Sequence, residues 1–189
     1  MALLSVERRI SLFKALGLGE YSKANIKALQ QKYFKREKDI DGIYGSDTDK
    51  LLRHVYNCSL VPNFRPEEFR CPCGRCTGYP TQMRQKELRH LQAIRDHFGK
   101  PMTITSGLRC PYENRRSGGV ANSGHLFGRA ADFRIKGVTD NVAQRVAALN
   151  WIKKLPNHKF TYGANMKGSD GLYRVAKGMG NAMHTEVKK

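Results

Sequence analysis

No stretch of 18 or more apolar residues occurs in this 189-residue chain, and Met1 to Gly17 is interrupted by Glu7, Arg8, Arg9 and Lys14. A membrane-spanning helix needs about 20 consecutive apolar residues, and a secretory signal needs a continuous apolar stretch behind a basic start, so neither is expected. Acidic residues are scarce as well: 16 Asp and Glu stand against 34 Lys and Arg, a formal net charge of +18. That balance suits a polyanionic partner. Residues 1–57 carry only +4 of it and the remainder +14. There is no uninterrupted basic tail and no recognised nucleic-acid motif, so the charge does not imply specific nucleic-acid binding, and another polyanion is equally open. Cysteine is sparse too, and an odd count of five leaves at least one outside any intramolecular disulfide.

What is present is ordinary for a globular chain: 40% hydrophobic and 26% charged residues, and enough length for one domain or two small ones. Val6 to Leu16 reads as a short helix with Ile10, Phe13 and Leu16 on one face, stopped by Gly17 and Gly19. Lys23 to Phe34 repeats the pattern through Ile26, Leu29 and Tyr33. After a glycine-punctuated loop, Asp39 to Gly45, Ser46 with Asp49 reads as an acidic capping box for a third helix over Asp47 to Tyr56. Pro62 and Pro66 mark residues 58–66 as a linker. Thr81 to Phe98 reads as the longest helix, with Leu88, Leu91, Ile94 and Phe98 inward and Gly99-Lys100-Pro101 as its stop. Short strands are expected at Met102–Thr105, Ala130–Ile135, Phe160–Tyr162, Leu172–Val175 and Met183–Val187. Between the second and third, a helix from Thr139-Asp140-Asn141-Val142 to about Leu155 would turn Val142, Val146, Leu149 and Ile152 inward, with Trp151 packed beside them. His54, His90, His97 and His158 read as packing or surface residues.

The chemistry centres on Ser123-Gly124-His125-Leu126-Phe127-Gly128-Arg129-Ala130-Ala131-Asp132. Imidazole and carboxylate are both good zinc ligands, and the two glycines allow the chain to bend so that His125 and Asp132 face one point. In the strand-like Met183-His184-Thr185-Glu186-Val187, residues two apart share a face, so His184 and Glu186 point the same way and offer a third ligand and a general base.

With Thr105-Ser106-Gly107-Leu108-Arg109, Asn114 and Gly118-Gly119, these motifs resemble, in order, the D-alanyl-D-alanine carboxypeptidase-like zinc peptidases, which cut peptide bonds in bacterial peptidoglycan. The resemblance spans roughly residues 62 to 189. It implies Zn2+ held by His125, Asp132 and His184, Glu186 as the base, and Arg109 binding a substrate carboxylate or the developing oxyanion, with Ser123 a further substrate contact. Many relatives place an acid three residues before the last histidine. Here that position is Asn181, so Glu186 takes the role, with Asp170 in reserve. Upstream, Ile26-Lys27-Ala28-Leu29-Gln30 followed by Asp41-Gly42-Ile43-Tyr44-Gly45-Ser46-Asp47-Thr48 is similar to the type 1 peptidoglycan-binding domain, although Val55-Tyr56-Asn57 stands where Phe-Gln usually closes it.

The expected architecture is α+β, a small antiparallel sheet with flanking helices whose open face carries the zinc site, preceded by a three-helix domain. The divisions are 1–57 (peptidoglycan-binding-like), 58–66 (linker) and 67–189 (peptidase). The function this implies is a zinc peptidase of the phage endolysin type, acting as a monomer on bacterial peptidoglycan after synthesis in the host cytoplasm, with no membrane partner. The alternatives are a catalytically inactive wall-binding protein with a structural zinc and a nucleic-acid binder marked by the +18 charge. Cys71, Cys73 and Cys76, with Cys110 or Cys58, suit a second, structural zinc, disulfides or free thiols. The bond cut, whether a terminal D-Ala, L-Ala–D-Glu or a cross-bridge, is not specified by the motifs.

Overall fold

The computed structural model describes residues 2–189. Three helices open the chain: α1 (Val6–Ala15), α2 (Lys23–Tyr33) and α3 (Ser46–Ser59). Ser5 and Ser22 cap the first two, each side chain accepting from a backbone N–H three residues on. The capping box expected at Ser46 and Asp49 does not form. Asp49 is drawn inward instead, where it accepts from the Leu4 N–H, the Tyr44 hydroxyl and Arg53. In α1 the buried residues are Leu12 and Phe13, whereas Ile10 is 50% exposed, contrary to the inward place expected for it. Arg9, lying over the Tyr44 ring and donating to the Leu4 carbonyl, fixes the rotation of this helix.

Gln30 explains the loop after α2. Its buried amide Nε2 donates to Asp41 Oδ1, the Ile43 carbonyl and Thr48 Oγ1, and its Oε1 accepts from the Gly42 N–H. One side chain therefore pins Asp41–Thr48 to the helix. Because α3 runs to Ser59, the connection after it is short, and Val61 and Phe64 within it are buried. His54 lies wholly inside: its Nε2–H donates to the Pro66 carbonyl at 3.0 Å and its Nδ1 accepts from the Met83 N–H at 3.2 Å. Rings of Tyr33, His54, Phe69 and Tyr79 meet edge-on or tilted, so one apolar core runs from the opening helices into the remainder.

The next helix, α4 (Gln85–Phe98), starts four residues later than expected. Residues 81–84 are not helical because their backbone groups are used elsewhere: the Arg84 N–H donates to the Gly128 carbonyl and the Met83 carbonyl accepts from Asn57. Gly99, at φ +60°, ends the helix. There follow β1 (Met102–Ser106), α5 (Pro111–Arg116), β2 (Ala130–Ile135), α6 (Val142–Ile152), β3 (His158–Gly163), β4 (Met166–Lys167), β5 (Tyr173–Arg174) and β6 (Met183–Val187). The strand expected over Leu172–Val175 shrinks to Tyr173–Arg174, because its partner β4 offers only Met166 and Lys167 for pairing. In α6, Val142 and Val146 are 40% and 38% exposed rather than inward. Arg145 takes the inward place, its guanidinium donating to the carbonyls of Thr139 and Ala164, with Ala148, Leu149 and Ile152 packed beside it.

The main sheet is antiparallel with order β1-β2-β6-β3, and β4 pairs with β5 separately. The fold class is α+β, as the residue pattern implies. Side-chain alternation divides the sheet. Phe133, Ile135 and Met183 pack with Leu88, Leu91 and Ile94 of α4, and Thr185 meets His90 of that helix at 3.0 Å. Asp132, His184 and Glu186 turn the other way. Among the described residues no helix is long and apolar enough to cross a membrane.

Candidate metal centre and active site

Strand register brings the first two site residues together. Asp132 on β2 is directly opposite His184 on β6, and Tyr162 on β3 flanks His184 from the other side. Opposed residues on one face of an antiparallel pair have their Cβ atoms about 5 Å apart, within reach of short polar side chains. His125 arrives from a short 3-10 turn, Gly124–Phe127, which Gly128 closes at φ +65°. Gly128 cannot carry a side chain without collision, since a Cβ there would lie 1.9 Å from the Gln82 carbonyl oxygen. Gly124 is close-packed as well, since a Cβ there would lie 2.6 Å from the Glu186 carboxyl carbon.

The donor atoms converge. His184 Nδ1 lies 2.8 Å from Asp132 Oδ1, His125 Nε2 is 3.3 Å from His184 Nδ1, and His125 Nε2 is 3.4 Å from Asp132 Oδ1. A tetrahedral metal site with bonds of about 2.1 Å separates neighbouring donors by about 3.4 Å, so this spacing fits an ion at the centre. Tautomer supports the fit. The His125 Nδ1–H donates to the Gly107 carbonyl at 2.6 Å, which leaves a lone pair on Nε2 aimed at the other two donors. All three residues are buried.

Electrostatics act in the same direction. Burial alone would raise the pKa of Asp132, yet the two imidazoles beside it hold the group well below the usual carboxylate range. For His184 burial dominates and lowers the pKa, favouring the neutral form that can ligate.

Arg109 stands beside this cluster. Its Nη2 donates to Asp132 Oδ2 at 2.5 Å and its Nε to Ser106 Oγ at 2.9 Å, so it orients the carboxylate whose other oxygen faces the histidines. Glu186 is 2% exposed; its Oε1 accepts from Lys159 at 2.9 Å, with Arg129 at 3.7 Å. Ser123 immediately precedes the 3-10 turn and is buried. Its carbonyl accepts from the Leu126 N–H, and its side chain makes no cap there. Asp170 sits on the β4–β5 hairpin in a two-point contact with Arg174 at 2.8 and 2.6 Å, and hydrogen bonds from that guanidinium hold it down at about 2.

Several contributors escaped sequence reasoning. Phe160 and Tyr162 stack in parallel beside His184, at 5.2 and 4.8 Å between ring centroids, and Arg174 covers both. Their alternation predicts a strand, but not that it adjoins the last one. Gly107 acts through its carbonyl, for which no side-chain signal exists. Cys71, Cys73, Cys76 and Cys110 form a second cluster, while Cys58 is buried beside His54 in the core.

Comparison with known proteins adds an independent finding. Residues 62–161 match the family Peptidase M15, a span that includes Arg109, His125 and Asp132 and stops before β6. No curated protein matches the chain. With just over half of its 189 residues carrying that family's pattern, the chain belongs to the Peptidase M15 family, and it is a peptidase of the metal-dependent class.

Proposed function

We propose that this chain is a zinc peptidase that hydrolyses a peptide bond in the stem peptide or cross-link of bacterial peptidoglycan, in the manner of a phage endolysin. The observation that carries it is the meeting of His125 Nε2, Asp132 Oδ1 and His184 Nδ1 on the open face of the sheet. These residues would hold Zn2+, which when bound supplies Lewis acidity and a water of lowered pKa.

The chain's own groups divide the remaining work. Glu186 shares a strand face with His184 and takes the proton of the attacking water, then returns it to the leaving amine. Lys159 and Arg129 steady that carboxylate. Asp170 is the reserve candidate, because both of its oxygens are engaged by Arg174 on the β4–β5 hairpin. Arg109 acts through Asp132, keeping one oxygen turned to the metal site. Its side chain is largely committed to that contact, so the substrate-carboxylate role is left chiefly to other cations. Phe160 and Tyr162 form an apolar wall on which a peptide backbone rests.

A groove of about 970 Å³ includes in its wall Arg129 and Lys159, the two cations that contact Glu186. Arg84, Lys86, Arg129, Lys159, Lys188 and Lys189 line it. Such a surface suits the carboxylates of stem peptides and other anionic wall polymers. The Gln30-pinned loop, together with Thr77, borders a separate cleft of about 250 Å³. Residues 1–57 would hold the enzyme on the polymer there, ahead of the connection at 58–66 and the catalytic portion from 67 to 189.

The deciding experiment measures release of free amino groups from purified peptidoglycan, with mass spectrometry of the fragments. The wild type, a chelated and zinc-restored sample, and His184→Ala are compared. Zinc-dependent release that His184→Ala abolishes is expected, and fragment masses name the bond. No release from several wall types, with sedimentation onto wall intact, would overturn the enzymatic reading in favour of a binding protein.

A further inference from the structure

We propose that Cys71, Cys73, Cys76 and Cys110 bind a second, structural zinc ion that ties the loop 71–78 to the corner carrying Gly107 and Arg109. The four sulfur atoms all lie within 4.8 Å of one another, with Cys73 Sγ 3.4 Å from Cys76 Sγ and 3.5 Å from Cys110 Sγ. A tetrahedral zinc with thiolate bonds of about 2.3 Å spaces its sulfurs about 3.8 Å apart. None of the five cysteines is in a disulfide.

Backbone geometry supplies the second argument. Each of the four sulfurs faces one main-chain N–H: Arg75 N–H to Cys73, Gly78 N–H to Cys76, Cys110 N–H to Cys71 and Glu113 N–H to Cys110, at 3.3 to 3.5 Å. Thiols that merely pack have no need of a donor on every sulfur, whereas four thiolates around one divalent ion carry excess negative charge that such donors offset. Cys73-Gly74-Arg75-Cys76-Thr77-Gly78 achieves this twice in succession, with a donor two residues after each cysteine. Gly74 at φ +68° and Gly78 at φ +97° provide turns that other residues rarely adopt. Soft sulfur ligands in tetrahedral array select zinc or iron, and an ion without redox chemistry suits a site whose effect is to hold two segments.

The placement explains what is held. The Cys71 N–H donates to the Gly78 carbonyl at 2.8 Å, which closes the loop on itself. Cys110 directly follows Arg109, and the Leu108 N–H donates to the Phe69 carbonyl. The ion therefore anchors the corner that orients Asp132 through Arg109 and His125 through Gly107, far along the chain from the loop. It is a positioning site and takes no part in the peptide-cutting chemistry.

The test uses the full chain with His125→Ala and His184→Ala together, so its outcome is independent of the peptidase reading. Elemental analysis is expected to find one zinc ion per chain in this variant. Cobalt substitution should give the intense thiolate-to-metal charge-transfer absorption of a tetrahedral sulfur site, and a mercurial thiol reagent should release the zinc. Cys73→Ser with Cys76→Ser should bind none at this site. If the cysteine variant does not fold, the histidine variant and the mercurial titration of wild-type protein decide alone. Absence of metal from the folded histidine variant, iron in place of zinc, or four thiols that react at once in freshly isolated protein would each overturn the assignment.

Discussion

Arg109 holds one member of the His-Asp cluster in place. Its guanidinium holds Asp132 from behind, at 2.5 Å, and its own position rests on Ser106. Groups that orient metal ligands in this way typically contribute 10- to 100-fold in metal affinity, so Arg109→Ala should weaken zinc binding by about that factor in a chelator competition. Unchanged affinity, with activity lost, would return Arg109 to a role on the substrate. Glu186 gives the complementary case. Glu186→Gln preserves shape and removes the proton acceptor, so kcat should fall by about 10²- to 10⁴-fold while zinc content stays constant. Activity that survives this change while Asp170→Asn abolishes it would move the base to the β4–β5 hairpin.

Among the elements, the turn from His125 to Asp132 depends most on a single position. Gly128 combines a left-handed backbone with a very close approach to a neighbouring main chain, since a Cβ there would sit 1.9 Å from the Gln82 oxygen. The Arg84 N–H also donates to its carbonyl, so residues 82–84 and the turn are locked face to face. Gly128→Ala should cost about 3 kcal/mol or more, lowering Tm by about 6 to 12 °C in differential scanning calorimetry, with loss of the site. A variant of unchanged Tm would show that the two segments separate easily. The same lock explains why α4 begins at Gln85. Helical periodicity before that point is real in the sequence, but the backbone groups of residues 81–84 have partners elsewhere. The three opening helices show the opposite outcome for Gln30, whose place in the motif was visible before its four hydrogen bonds were.

Across the molecule as a whole, buried titratable groups link stability to pH. Burial pushes His54 and His90 down to about 4 from an ordinary value of 6.5, and His54 Nδ1 must stay unprotonated to accept from the Met83 N–H. Between pH 6.5 and 4 the unfolded chain therefore takes up two protons that the folded chain refuses, and these groups make stability rise with pH. Glu87 opposes them: burial and the nearby Glu186 raise it well above the usual carboxylate range, so above pH 4.5 the folded chain keeps a proton that the unfolded chain loses. Burial lowers His158 in the same direction, so the histidines outweigh Glu87 and stability falls as pH drops below 6.5. Urea midpoints should accordingly fall as pH drops from 6.5 to 4, and Glu87→Gln should steepen that fall. A midpoint independent of pH from 4 to 6.5 contradicts this assignment.

Local elements, and the histidines and aspartate that meet in the fold, were legible in the residues alone. Alternation in Met183–Val187 put His184 and Glu186 on one face, the glycines around His125 announced a tight turn, and the order of motifs pointed to a peptidase, because each of these signals lies within a few residues of chain. What met what was settled by tertiary packing. The pairing of β2 and β3 with β6 set Asp132 and Tyr162 against His184, and the folded chain brought the Gly107 carbonyl to His125 and the Cys110 sulfur to the loop at Cys71. Packing also exposed Ile10, Val142 and Val146, which periodicity had placed inside. Periodicity defines an apolar face only up to rotation of the helix, and the buried or stacked arginines Arg145 and Arg9 chose the rotation. Contacts between residues far apart in the chain depend on sheet order and register, which are set by packing across the whole core.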